Sequence, residues 1–146
     1  MAVEHTASAT WDGDLMSGFG TVSVGSGIVS GASLTWRARA EDASAGTSPE
    51  ELIAAALASC FSMALSNGLA QGGHPPARIE TDATAEFDKT DAGFRLTKIA
   101  LRVSGDVPGI DEAAFGAAAK DAKVNCPVSK ALAGNVEITL EAALAG

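Results

Sequence analysis

The first forty residues alternate short apolar stretches with glycine-rich breaks, a pattern of brief extended segments joined by turns. Trp11 runs into an Asp12-Gly13-Asp14 turn signal, and residues 21–24 are flanked by glycines. Leu34, Trp36 and Ala38 alternate with Thr35, Arg37 and Arg39. A period of two marks a strand, and it would set Arg37 and Arg39 on one face, opposite Trp36. After a small polar loop over 41–46, Thr47-Ser48-Pro49-Glu50-Glu51 opens a helix. Ser48 suits the N-cap, Pro49 the first helical position, and the two acids the positive end of the helix dipole. Glu51, three after Ser48, completes a capping box. The helix is expected over 49–71, where Gly72-Gly73 and Pro75-Pro76 stop it. Its apolar positions Leu52, Ile53, Leu57, Phe61, Leu65 and Leu69 occupy more than one face, so it needs cover from several sides.

Beyond it the period returns to two. Ile79, Thr81, Ala83, Ala85 and Phe87 face one way and Glu80, Asp82, Glu86 and Asp88 the other; a turn over 88–93 leads into Phe94, Leu96, Ile99, Leu101 and Val103. These two runs form a hairpin, and the slip of phase between Leu96 and Ile99 predicts a bulge. Pro108-Gly109 ends it. A second helix over 111–125 carries the stripe Phe115, Ala118, Ala122 and Cys126, and Pro127 closes it, since the residue before a proline avoids the helical region. A helical turn over 127–132 precedes a closing strand in which Val136, Ile138, Leu140 and Ala142 alternate with Glu137, Thr139 and Glu141. The order of strands, helix, hairpin, helix and strand is an α+β layout, expected as a single domain over 1–146.

Composition refines this picture. Apolar residues make up 47% of the 146 and charged residues 19%, so a core can be buried; aromatics are only 5% and tyrosine is absent, so that core fills by close backbone approach. The net charge of −8, with no cluster of lysine or arginine, argues against nucleic acid and against anionic lipid as partners. No basic stretch followed by an apolar run stands at the N-terminus, which points to the cytoplasm. Residues 52–77 contain no Asp, Glu, Lys or Arg, but the strongly apolar part over 52–65 is short and alanine-rich, so a buried helix is expected in place of a membrane span.

Two cysteines in a reducing compartment pair transiently more often than structurally. His5 and His74 lack ligand spacing to either, and no metal or cofactor is expected. On residue chemistry alone Cys60, in an apolar helix, is by default a small inert hydrophobe; to act as a nucleophile it needs a cation or helix N-terminus beside it, and the arginines ahead of the helix are the nearest cations in sequence. Cys126 is equally readable as a buried thiol or as half of a constitutive disulfide, which would close a loop of 66 residues. Such a loop is worth about 4 kcal/mol in the chain-entropy model. Arg37 and Arg39 precede Glu41 and Asp42, enough for solvated surface pairs, and Glu50 and Glu51 are explained by the helix start. Phe61, Met63 and neighbouring leucines would suit an alkyl group or simply fill the core.

Six segments in order add a further layer: Trp-Asp-Gly-Asp at 11–14, Gly-Thr-Val-Ser at 20–23, Thr-Ser-Pro-Glu-Glu-Leu-Ile at 47–53, Ser-Cys-Phe-Ser-Met-Ala-Leu at 59–65, Val-Pro-Gly-Ile at 107–110 and Asn-Cys-Pro-Val-Ser at 125–129. Together they resemble the OsmC/Ohr family of osmotically inducible and organic hydroperoxide resistance proteins, nearest the OsmC branch, over almost the whole chain. The resemblance implies antiparallel sheets enclosing long central helices in an intertwined homodimer. It implies a cysteine-based peroxidase of oxidative and osmotic stress defence that prefers organic hydroperoxides to hydrogen peroxide and is recycled by an external dithiol, a lipoyl one in this family. By the same likeness Cys60 is the peroxidatic cysteine, Cys126 the resolving one, and Glu50 the holder of an active-site arginine, for which Arg39 fits better than Arg37. A redox sensor, or a binding module using the same thiols without turnover, are the alternative classes.

Overall fold

Short β-prone segments separated by tight turns pair first with their sequence neighbours, and the N-terminal part of the chain is built that way. In the computed structural model, which describes all of residues 1–146, the backbone gathers into two units, Met1–Leu52 and Ile53–Gly146. The first holds an antiparallel sheet of β1 (Ala7–Asp12), β2 (Phe19–Val24) and β3 (Ala32–Leu34). Asp14 ties the β1–β2 turn: its carboxylate accepts the N–H groups of Met16 and Ser17 at 2.9 Å and the Ser17 hydroxyl at 2.6 Å.

The alternation over 34–39 does not extend β3. The chain turns instead into a short helix, α1 (Trp36–Ala40), because the Thr35 hydroxyl accepts the Ala38 N–H at 3.1 Å and caps it. Six residues are too few for a period of two to outweigh a good cap. Arg37 and Arg39 therefore do not share a face; two residues apart on a helix, they diverge by about 200°.

The long helix α2 (Pro49–Gln71) has the expected bounds. Ser48 Oγ accepts the Glu51 N–H at 3.0 Å, while the Glu51 carboxylate is taken by the Thr47 hydroxyl at 3.0 Å, so the capping box is completed by a neighbour. At the far end Gly73 adopts φ +87° and His74 N–H donates to the Leu69 carbonyl at 2.9 Å.

The second unit carries a hairpin of β4 (Arg78–Thr90) and β5 (Gly93–Asp106), with Glu86 opposite Lys98 but Phe87 opposite Leu96. Thr97 is the extra residue, which is the bulge that the phase slip predicts. Two helices follow, α3 (Glu112–Asn125) and α4 (Pro127–Leu132), before β6 (Glu137–Leu144). β6 joins β5 in parallel, so this sheet is mixed where antiparallel pairing was expected. A parallel return needs a crossover of a dozen or more residues, and α3 with α4 provides it.

The core lies in this unit. Leu57, Phe61, Leu65 and Leu69 of α2 meet Ile99, Leu101 and Val103 of β5 and Phe115, Ala119 and Ala122 of α3. Ala119 fills the place in the α3 stripe that Ala118 was expected to take, and Ala118 is half-buried. Gly105 is required by the packing: a Cβ there would stand 2.5 Å from Phe115 Cε2. Only one side of α2 is covered within the chain. Ala55, Ala56, Ser59, Met63, Asn67 and Ala70 remain exposed, Met63 to 73%. By length and composition α2 also passes the test for a membrane-crossing helix, a test met equally by core helices. Its Leu57–Phe61–Leu65–Leu69 edge is committed to the protein core.

Candidate active site

Cys60 sits in the middle of α2, half-buried against the core cluster beside Phe61. Cys126 lies 66 residues on and is fully buried, at 0% exposure. Its position follows from the proline after it. Pro127 forces Cys126 out of the helical region, to φ −56° and ψ 126°, so one residue ends α3 and begins α4. The Cys126 N–H still donates to the Ala122 carbonyl at 2.9 Å, and its carbonyl accepts the Lys130 N–H at 3.0 Å. That double use ties the Cys126 backbone to both helices.

The fold brings the two thiols close enough to affect each other's ionisation, and both are free, with no disulfide between them. They are polarised in opposite directions. Burial first, then the hydrogen bond and charge of Cys126, push the Cys60 thiol above its ordinary range, with the Val128 N–H acting the other way. Burial would likewise raise Cys126, but the Cys60 thiol, the Ser129 N–H and hydroxyl, and the Val128 N–H outweigh it and bring Cys126 down. Ionising either thiol disfavours the same charge on the other.

The other two expected residues meet in the N-terminal unit. Glu50, in the first turn of α2 and 6% exposed, accepts from Arg39 through three contacts: Nε to Oε1 at 3.2 Å, Nε to Oε2 at 3.1 Å and Nη2 to Oε1 at 2.8 Å. A forked pairing of this kind fixes the guanidinium plane as well as its place. Arg37 goes elsewhere, to Asp42 at 2.9 Å on the surface. Of the two arginines that the sequence left in competition, Arg39 is the one that Glu50 holds. Phe61, Leu57 and Leu65 are core. Met63 borders a shallow groove of about 620 Å³ with Ser62, Ser66, Asn67 and Ile79, and neither cysteine opens into it.

Sequence reasoning passed over Ser129. It is 4% exposed, and its hydroxyl oxygen has no hydrogen-bond partner in the dithiol form. The signal was present in Cys126-Pro127-Val128-Ser129: the residue three beyond a helix-capping position turns back towards it.

Fold and site together define a small α+β protein with a pair of free, neighbouring thiols on one unit and a fixed arginine–glutamate couple on the other. Comparison with known proteins agrees. The model of the OsmC-like protein family matches residues 40–141. Peroxiredoxin OsmC of Escherichia coli (strain K12) is 46% identical over 141 residues, covering 97% of this chain and 96% of that protein. Organic hydroperoxide resistance protein OhrA of Bacillus subtilis (strain 168) is 36% identical over 109 residues, 72% of this chain and 73% of that protein. The crystal structure of the organic hydroperoxide resistance protein OhrB of Bacillus subtilis superposes with a TM-score of 0.75 at 26% identity, over 94% of this chain and 98% of that one. The chain belongs to the OsmC-like protein family.

Proposed function

We propose that this protein is a thiol-dependent peroxidase that reduces hydroperoxides, organic ones in preference to hydrogen peroxide, with 1–146 acting as one functional domain. The observation that carries the reading is the contact between Cys60 and Cys126, two free thiols that folding joins across 66 residues of sequence. Relatives named for peroxiredoxin activity and organic hydroperoxide resistance support the same chemistry.

In the mechanism we assign, Cys60 attacks as the thiolate. Burial and Cys126 oppose that charge, so a cation must offset them. Arg39, held by Glu50, is the group we assign to it and to polarising the peroxide. The Cys60 sulfur takes one peroxide oxygen; the O–O bond breaks, the alkoxide leaves and is protonated to the alcohol, and Cys60 becomes a sulfenic acid. The Cys126 thiolate then attacks the Cys60 sulfur and forms the disulfide. Hydroxide leaves and is protonated to water. An external dithiol, a lipoyl one in our reading, closes the cycle. Its thiolate enters at Cys60, the more exposed sulfur, and Cys126 departs, since the thiol of lower pKa leaves more readily. The second reductant thiol then displaces Cys60 and leaves as a cyclic disulfide. This step requires a reducing compartment, which we take to be the cytoplasm. The exposed side of α2, along Ala56, Ser59, Met63 and Asn67, supports the reading of a homodimer in which a second copy covers it.

The test is turnover. Reduced protein with cumene hydroperoxide and excess dihydrolipoamide should consume many equivalents of peroxide, and Cys60→Ser should abolish this. Oxidation of one equivalent followed by a halt would sink the enzyme reading and leave a redox sensor.

A further inference from the structure

We infer that Ser129 is the positioning residue of the resolving step: its buried hydroxyl, unpartnered while Cys126 is a thiol, donates to the Cys126 sulfur once that thiol has lost its proton. The inference rests on the resolving role assigned to Cys126 above, and its principal measurement does not depend on turnover.

A buried hydroxyl without a partner is costly, and native proteins retain few of them. Ser129 Oγ is the one buried side-chain oxygen or nitrogen so left in this chain. It lies three residues after Cys126, in the first turn of α4, and is 4% exposed. The neutral Cys126 thiol makes no capping hydrogen bond there. Yet the Ser129 hydroxyl, with the N–H groups of Ser129 and Val128, acts on that sulfur in the sense that favours the thiolate. An idle donor beside a group that must ionise is explained if its bond forms only in the charged state, where such bonds are strongest. The titratable group that faces Cys126 is Cys60, from α2. Lys123 at the end of α3 and Lys130 on α4 stand on the flanking elements and reach solvent.

The chemistry this serves is thiolate attack. Cys126 loses its proton, its electron pair forms the bond to the Cys60 sulfur, and hydroxide leaves. Without the hydroxyl, Cys126 ionises at a pH about one unit higher. At neutral pH that means about tenfold less thiolate, partly offset by the greater nucleophilicity of a more basic sulfur, so resolution should slow about threefold.

The test compares Cys60→Ala with Cys60→Ala/Ser129→Ala, following Cys126 thiolate absorbance near 240 nm against pH. The midpoint should rise by about one unit, and Ser129→Thr in the same background should restore it. An unmoved midpoint overturns the inference, whether or not the protein turns over peroxide. In the protein with both cysteines, stopped-flow mixing with one equivalent of cumene hydroperoxide should show the disulfide-forming phase of Ser129→Ala slowed and its pH profile shifted upward. Because the hydroxyl is unpartnered in the reduced protein, Ser129→Ala should keep or raise the Tm of that form; a Tm several degrees lower would assign the hydroxyl to structure and also overturn the inference.

Discussion

At the scale of single residues the site separates into groups that share a charge and groups that hold one. Arg39 and Glu50 are the second kind. Glu50 is almost wholly buried, so its carboxylate depends on the guanidinium for compensation, whereas Arg37 and Asp42 meet in solvent. Removing one partner of a buried pair leaves an uncompensated charge, costing roughly 3 kcal/mol, while a surface pair contributes about 0–1 kcal/mol. Arg39 is still 35% exposed, which places the expected loss at the lower end of the buried range. Arg39→Met should therefore destabilise the protein by about 2–3 kcal/mol in urea unfolding, and Arg37→Met by less than about 0.5 kcal/mol. Equal effects would mean that the forked contact carries no special weight. The residue types around 37–51 announced this chemistry, and the family likeness favoured Arg39 over Arg37 as the partner of Glu50, the pair that the structure forms. Arg37 and Arg39 looked equivalent under a period of two, and one cap, Thr35 to Ala38, was enough to turn them apart.

Among the elements, α2, the hairpin and the α3–Cys126–α4 corner were readable from the chain because each follows from near-neighbour chemistry: a cap with proline at the first position, alternation over more than ten residues, and a proline after a helix. The parallel pairing of β6 was not readable, since alternation states which side of a strand is buried and nothing about its partner. The same holds for the closest approach in the core. Gly105 reads as an ordinary strand glycine in sequence, yet Phe115 lies where its side chain would be. Gly105→Ala must push the ring or the strand aside, and overpacking of this kind costs about 1–3 kcal/mol. We expect a corresponding fall in denaturation midpoint that Phe115→Leu in the same chain partly relieves, because the smaller side chain gives the methyl room. A Gly105→Ala protein as stable as the parent would show that the contact is soft.

For the whole molecule, the open side of α2 is the feature that one chain does not satisfy. The helix was expected to be covered all round, and within the chain Met63, Ala56 and Ser59 are left in solvent while Leu57, Phe61 and Leu65 are buried. A second copy against this side would complete the cover. Met63→Glu places a charge in that contact and should shift the protein towards monomer in analytical ultracentrifugation at micromolar concentration, with Met63→Leu retaining the parent state. If both sediment as the parent does, the open side of α2 is not the contact between copies.

Local chemistry in the chain was sufficient for the α+β layout, the bounds of α2, the bulge at Thr97 and the placing of Cys126 at a helix boundary, because caps, prolines and periodicity act over a few residues. It also supplied the motifs that suggested a peroxidase. The same motifs named Cys60, Cys126, Glu50 and Arg39; what only the folded chain decided is the parallel pairing of β6 with β5 and the close approach of Phe115 to Gly105. Both depend on which distant surfaces the core brings into contact. Packing settles that over the whole chain at once, and no window of neighbouring residues contains it.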